Sequence, residues 1–263
     1  LAVDQWLSFC ASRKQAFPCA LKLNTGMTRL GLDALELDQL LSAPANIAHL
    51  NPVLVMSHLA CADEPAHPLN DEQLERFCFT VSKIKTLFPK IKTSLANSSG
   101  TFLGGAFHFD MVRIGAALYG INPQAGTANP LASVIHLRLP VLQIRTTERP
   151  ESVGYGATAS VSSGTRLAVV AGGYSDGIHR SLGLAPKGHF DGIELKSVGR
   201  ISMDSCVFDI TDVEGEPNYI DVINDELSLD YLMSANGTLG YDVLTSLGDR
   251  YQRRYIGAGA DNE

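Results

Sequence analysis

The chain has 263 residues, of which 45% are hydrophobic, so it can bury one or two sizeable cores. Its formal net charge of −7 argues against nucleic acid and anionic membranes as partners, and no apolar run approaches the roughly 18 residues of a membrane span. Five cysteines without zinc-site or CxxC spacing predict no metal site and fit reduced thiols in a cytoplasmic protein.

The first half of the chain alternates short apolar runs with helix-length amphipathic segments. The predicted strands are Cys19–Leu23, Val53–His58, Ile91–Ala96 and Met111–Ile114, and the clearest helix is Asn70–Phe88. Alternating strands and helices predict parallel pairing. Because an open half-barrel would expose its edges, we expect residues 1–125 to be the C-terminal half of a TIM-type (β/α)8 barrel, with further strands upstream of Leu1.

The pattern changes after a cluster of turn-forming residues at 122–130. Strands are predicted at Val134–Ile144, Arg166–Ala171, Ile193–Ile201 and Ser205–Ile210, with one helix at Leu227–Ser234. We therefore expect an α/β first domain followed by a mostly β C-terminal domain over residues 126–263.

The segment Asp110–Gly120 joins an apolar run to a glycine-led turn. The run Met111–Ile114 suits a buried strand, and the backbone N–H groups of the following turn are free to bind an anion. Arg113 lies inside the run. It either meets a ligand or partner, because an unpaired buried charge is costly, or lies at a strand end and reaches solvent.

Polar residues lie at or just after the end of each predicted strand of the first half, where a barrel would place its site. They are Lys22 with Arg29, His58, Ser98, and Arg113 with Gly115. Each alone has an ordinary structural explanation, such as a core histidine or a capping serine, but four successive strand ends favour a polar cleft. In the second half, Tyr155 lies between two glycines, either close to a ligand or on a surface turn.

Eight segments, in order along nearly the whole chain, together resemble alanine racemase, a pyridoxal-phosphate enzyme of the barrel fold type. They are LKLNTGMTRLGL (21–32), SHLACADE (57–64), LANSSG (95–100), VRIGAALYG (112–120), VGYGAT (153–158), GGYSDG (172–177), VGRISMD (198–204) and GYDVLTSLGDRYQRRY (240–255). The resemblance implies interconversion of L- and D-alanine with pyridoxal 5'-phosphate, providing D-alanine for cell-wall peptidoglycan. It also implies a homodimer whose active site is shared between the chains.

The resemblance implies a role for each cofactor residue. Arg113 resembles the arginine that faces the pyridine nitrogen and keeps it unprotonated, and His58 the histidine that hydrogen-bonds and orients that arginine. The implied phosphate ligands are Ser98, Gly115, Ala116 and Tyr241.

The substrate residues are implied in the same way. Tyr155 resembles the catalytic tyrosine that exchanges a proton with the α-carbon on the L-alanine side. Arg29 and the backbone of Met203 resemble the group that receives the substrate carboxylate, and Tyr174 a tyrosine at the substrate entrance. Lys22 matches a lysine that is carbamylated in many members, where the carbamate would hold Arg29 in place.

The family's cofactor lysine, which forms the Schiff base and acts as the base on the D-alanine side, has no matching segment here. We expect it upstream of Leu1. Two alternatives stay open. One is a racemase of broader range or for serine, since one methylene or hydroxyl changes discrimination only about 10–200-fold. The other is a non-catalytic fragment that acts as a binding module.

Overall fold

A computed structural model of the chain describes residues 1–178, 187–236 and 240–257. The chain divides into two compact units. Unit 1 comprises residues 1–118 and 122–130, and unit 2 comprises residues 119–121 and the chain from 131 onward. Among the described residues, no helix combines the length and the apolar character needed to cross a membrane.

Unit 1 is a three-stranded parallel sheet with helices between its strands. Its elements are α1 (Ala2–Arg13), β1 (Pro18–Lys22), α2 (Ala34–Ser42), α3 (Pro44–His49), β2 (Asn51–Met56), α4 (Leu69–Leu87) and β3 (Lys92–Ser94). The strand order is β1-β2-β3, and both pairs are parallel. The parallel pairing expected from the alternating pattern is therefore confirmed.

Helix α4 supplies one wall of the core of unit 1. Acidic residues occupy its first turn and a lysine its last, which matches the helix dipole at both ends. Its buried face carries Phe77, Val81 and Ile84, which join Val55 and Leu95 of the sheet region in one hydrophobic cluster. Each such side chain stabilises the fold by about 1.5–3 kcal/mol on burial. The predicted helix is confirmed to within a residue at each end.

The predicted fourth strand, Met111–Ile114, is not a strand in the structure. The segment runs beside β3 through two backbone hydrogen bonds, from Asp110 N–H to Thr93 O (3.1 Å) and from Arg113 N–H to Ala96 O (3.0 Å). These bonds are spaced three residues apart on each chain, which a regular parallel ladder does not allow. The first and last residues of the segment are 41% and 40% exposed, so the expectation of a buried strand is wrong. The apolar composition of residues 111–114 does not by itself show whether another element of the fold packs over them.

Over residues 119–121, 131–178, 187–236 and 240–257, unit 2 is a closed antiparallel barrel followed by two helices. Its elements are β4 (Leu137–Thr146), β5 (Glu151–Val153), β6 (Ala159–Val161), β7 (Arg166–Ala171), β8 (Lys187–Phe190), β9 (Ile193–Ser197), β10 (Ser205–Asp209), β11 (Tyr219–Ile223), α5 (Leu229–Asn236) and α6 (Gly240–Ser246). The barrel order is β10-β7-β4-β11-β8-β9, and β5 and β6 form a separate hairpin. Closure leaves no sheet edge in the barrel. The mostly β character is confirmed, whereas the expectation of a single helix is wrong, because α6 follows α5.

Candidate active site

A cluster of basic side chains lies at the carboxyl ends of the strands of unit 1. Lys22 is the last residue of β1, Arg29 lies in the loop that follows, and His58 lies two residues after β2. Burial lowers the pKa of the half-buried His58, and the positive charges of Arg113, Lys22 and Arg29 lower it further. The structure thus brings these four predicted residues together. None of the charges that shift this pKa is a carboxylate, so the cluster favours an anionic ligand.

Arg113 is half-buried and held by three hydrogen bonds. Its Nη1 donates to Ser94 Oγ at 2.6 Å, and its Nη2 donates to Ser57 O at 2.6 Å and Leu95 O at 3.3 Å. Burial lowers the pKa of Arg113, and no carboxylate of the described residues offsets that effect. The guanidinium is therefore anchored by neutral acceptors and does not simply extend into solvent.

The hydrogen bonds of His58 and Arg113 go to other partners in the structure. The Nε2 of His58 lies 3.5 Å from Asn97 Nδ2, and the hydrogen bonds of the guanidinium go to Ser94, Ser57 and a third carbonyl. Ser94, which the sequence did not single out, supplies a side-chain acceptor that orients the guanidinium. The influence of Arg113 on His58 is electrostatic.

An N–H-rich turn follows the Arg113 segment. Ser98 Oγ accepts hydrogen bonds from Gly115 N–H at 2.9 Å and Ala117 N–H at 3.3 Å, at the start of a 3₁₀ turn over Ala116–Tyr119. A Cβ added to Gly115 would meet no atom within 4 Å, so space is open beside these donors. An anion oxygen could replace the hydroxyl on the N–H groups while the hydroxyl donates to the anion. The structure thus gathers the three phosphate ligands predicted in unit 1.

The loop that carries Arg29 is organised by the side chain of Asn24. Its Oδ1 accepts from Gly26 N–H at 3.2 Å and Thr28 N–H at 2.9 Å, and its Nδ2 donates to Asp33 Oδ1 at 2.8 Å. This short-range pattern is typical of asparagine, whose amide can satisfy a turning backbone. Arg29 is therefore held on a shaped loop directly after β1.

Tyr155 projects from a tight turn of unit 2. The turn Tyr155–Ala157 connects β5 to β6, and its flanking glycines, Gly154 and Gly156, have φ values of 75° and 72°. Glycine adopts this left-handed region without strain, so the Gly-Tyr-Gly sequence itself encodes the turn. The tyrosine is 70% exposed, which leaves its phenol available to a ligand or a second chain.

The loops that carry Tyr174 and Met203 are tied together in unit 2. Tyr174 N–H donates to Ser202 O at 3.1 Å, and the N–H and Oγ of Ser175 donate to Met203 O at 3.0 and 2.7 Å. A Cβ on Gly173 would collide with two carbonyls of the facing loop, so this approach requires glycine. A carboxylate needs a hydrogen-bond donor, so on the backbone of Met203 the N–H is the group able to receive it.

Arg250 clamps the same two loops. Its Nε lies 2.8 Å from Asp176 Oδ1, its Nη1 and Nη2 each lie 2.9 Å from Asp204 Oδ1, and it also contacts the Ser175 hydroxyl. Arg250 is the main cause that lowers the pKa of Asp204. No local sequence signal marks this clamp, because its members are far apart along the chain. Tyr241, the remaining predicted phosphate ligand, is the second residue of α6 and is 48% exposed.

Comparison with known proteins identifies the family of this chain. Residues 2–123 match the family model of the alanine racemase N-terminal domain, and residues 134–255 match that of the C-terminal domain. The chain is 47% identical to an alanine racemase of Rhodospirillum rubrum and 41% identical to one of Rhizobium meliloti, covering 97% and 94% of this chain and 68% of each relative. The crystal structure of alanine racemase from Bartonella henselae with covalently bound pyridoxal phosphate matches with a TM-score of 0.86 at 35% identity, covering 97% of this chain and 70% of that one. The chain belongs to the alanine racemase family, and the resemblance of its motifs is confirmed.

Proposed function

We propose that the protein is a pyridoxal-phosphate-dependent alanine racemase that interconverts L- and D-alanine and supplies D-alanine for cell-wall peptidoglycan. The observation that carries this proposal is the half-buried Arg113, bonded only to neutral acceptors, beside the N–H-rich turn at Gly115 in a chain of this family. Around Arg113 the structure offers donors and positive charge, which a phosphorylated cofactor requires.

The residues of unit 1 fit this cofactor. The Ser98 hydroxyl and the N–H groups of residues 115–117 suit the phosphate, and open space lies beside them. When bound, pyridoxal phosphate supplies a sink for the electrons released at the α-carbon. Arg113 would face the ring nitrogen and, as a permanent cation, would keep it unprotonated. The electron sink would then be weaker, with fewer side reactions.

The remaining site residues act on the amino acid. The Tyr155 phenol moves the α-carbon proton on the L-alanine side. The cofactor lysine of the family, which we expect upstream of Leu1, acts on the opposite face. Arg29 and the Met203 N–H would receive the carboxylate, with Tyr174 at the entrance, and Tyr241 would bind the phosphate. Holding the carboxylate fixes the direction of the Cα–H bond.

Carbamylation of Lys22 belongs to the same proposal. An unmodified lysine adds a further cation to the cluster that contains Arg29, and like charges in one cluster repel. A carbamate on Lys22 would turn this repulsion into attraction. Carbon-13 NMR after incubation in labelled bicarbonate should show a carbamate carbonyl signal that is lost in Lys22→Ala.

The assembly is proposed to be a cytoplasmic homodimer with a shared active site. In it, residues 1–125 form the barrel part that binds the cofactor, and residues 126–263 supply the tyrosine to the other chain. Tyr155 and Met203 are 70% and 54% exposed, which leaves them free to reach a second copy, and all five cysteines are free thiols. Mixing Tyr155→Phe protomers with Arg113→Glu protomers should restore activity only if the sites are shared.

The central experiment measures exchange of the α-hydrogen of each alanine enantiomer with deuterium in the holoenzyme. Tyr155→Phe should slow exchange from L-alanine by about 10²–10⁴-fold, the usual contribution of a positioned acid or base, without weakening cofactor binding. Tyr255→Phe, at another exposed tyrosine, is the matched control and should change neither. Equal losses from both enantiomers, or no loss, would contradict the role of Tyr155. The same assay with L-serine separates an alanine racemase from a serine racemase.

A further inference from the structure

A fully buried glutamine lies beneath the basic cluster of unit 1. Gln73 occupies the core-facing stripe of α4 together with Phe77 and Val81, and it is 0% exposed. Its carboxamide is fully hydrogen-bonded: Nε2 donates to Thr25 Oγ1 at 3.0 Å and to His58 O at 2.9 Å, and Oε1 accepts from Ala60 N–H at 2.9 Å. Burying an amide in the core is costly unless each polar atom is satisfied, and here each one is.

The carboxamide pairs with the backbone of residues 58–60 as an adjacent strand would. It donates to the carbonyl of His58 and accepts from the N–H of Ala60, two groups that use no other partner among the hydrogen bonds of the described residues. Strand β2 ends at Met56, so this segment has no strand neighbour of its own. Gln73 therefore fixes the path of the backbone from which the His58 ring projects.

A chain of hydroxyls extends this contact to Arg113. Ser57 Oγ donates its single hydrogen to Leu23 O at 2.8 Å. In the 2.7 Å bond between Ser57 Oγ and Thr25 Oγ1, the donor must therefore be Thr25, which itself accepts from Gln73 Nε2. The carbonyl of Ser57 accepts from Arg113 Nη2 at 2.6 Å. Thr25 and Ser57 are 3% and 1% exposed, so these bonds are shielded from bulk water. Only one assignment of donors and acceptors satisfies Gln73, Thr25 and Ser57 together, and this makes the network rigid.

We propose that Gln73 is a positioning residue for the cofactor site, because its carboxamide fixes the backbone at 57–60 against the end of β1 and thereby orients His58 and Arg113. The inference rests on the proposed function, since these two side chains are the ones assigned to the cofactor. Gln73 touches neither cofactor nor substrate. Its effect is transmitted through Thr25 and Ser57 and through the 58–60 backbone.

The test compares Gln73→Met with the matched control Asn70→Leu. Asn70 is 2% exposed on the same face of α4, but its Nδ2 donates to Glu64 O, outside the network. Both variants should lower the urea midpoint of unfolding. Only Gln73→Met should weaken binding of pyridoxal 5'-phosphate, by about tenfold or more, and shift the His58 ring resonances in NMR spectra of the cofactor-free chain. Equal weakening by both variants, or unchanged affinity and unchanged His58 resonances, would overturn the proposal.

Thr25→Val keeps the test decisive if Gln73→Met does not fold. It removes only the hydroxyl that joins Gln73 to Ser57, so it should weaken cofactor binding in the same direction, and its effect should be less than additive with Gln73→Met. Additive effects would refute a connected chain. If the wild-type holoenzyme binds the cofactor and racemises alanine, and Gln73→Met does both equally well, only this inference is refuted. An inactive wild type would instead refute the proposed function.

Discussion

The anchoring of Arg113 by Ser94 predicts a measurable coupling energy between the two residues. The guanidinium directs one nitrogen to Ser94 Oγ and the other to Ser57 O, both at 2.6 Å, and Ser94 is 0% exposed. The single nitrogen of a lysine cannot reproduce this fork. Hydrogen bonds to charged groups contribute about 1.5–3 kcal/mol each. Losing one and weakening the other should lower the free energy of unfolding of Arg113→Lys by about 2–4 kcal/mol.

The chain provides its own probe for this measurement. Its single tryptophan, Trp6, lies in α1, so Trp6 fluorescence in urea follows the unfolding of unit 1 separately from unit 2. Wild type, Arg113→Lys, Ser94→Ala and the double variant form a double-mutant cycle, and the expected coupling energy is about 1–2 kcal/mol. Ser82→Ala, at an exposed serine of α4, controls for the loss of a hydroxyl.

Additive effects of Arg113→Lys and Ser94→Ala would contradict the predicted coupling. If the double variant loses the sum of the two single losses to within about 0.5 kcal/mol, the two side chains are not bonded in solution. Orientation of the guanidinium would then have to come from elsewhere, and its assigned place at the pyridine ring would lose its structural support.

Three further predictions concern pH and the loops of unit 2. Hydrogen bonds from Thr93 lower the pKa of Asp110, so its stabilisation is present above about pH 4, the unfolded value, and is lost as the pH falls through the folded value. Asp110→Asn should therefore lower the urea midpoint at neutral pH and make little difference in acid; a constant difference would contradict this. Arg250→Met should raise the pKa of Asp204 toward its ordinary value, as followed by carboxyl carbon-13 NMR, and an unchanged titration would show that the clamp is open in solution. Gly173→Ala should destabilise unit 2 by about 1–3 kcal/mol in thermal unfolding, because its Cβ meets the carbonyls of the facing loop, whereas unchanged stability would show that the loops separate freely.

Strong local patterns allowed most of the fold to be predicted from sequence. The amphipathic repeat of α4 and the continuous apolar run of β7 gave their bounds within a residue. The short strands β8 and β11 were not predicted, because four or five residues of mixed polarity carry little periodicity and their pairing is decided by the closed barrel. Tertiary context decided the outcome at residues 111–114, where an apolar run is neither buried nor regularly paired.

The candidate site, like the fold, could be predicted from the sequence only in part. Lys22, Arg29 and His58 could be predicted as one cluster because parallel strands carry their carboxyl ends to a common edge. The groups that hold the cluster could not be predicted, since Ser94 and Gln73 act through contacts between distant segments. Gln73 did leave one signal, a polar residue on the apolar stripe of a helix.

The positive charges of the basic cluster (Lys22, Arg29, His58 and Arg113) link the fold to the supply of its vitamin-derived cofactor. Any anion that binds the folded chain and not the unfolded one stabilises it in proportion to the logarithm of its concentration, so phosphate buffer will protect the empty protein and compete with loading. In a cell short of the cofactor, the same linkage leaves more chains unfolded at steady state and exposed to proteases. The abundance of the protein, and not only its turnover, should therefore follow the nutritional state of the cell.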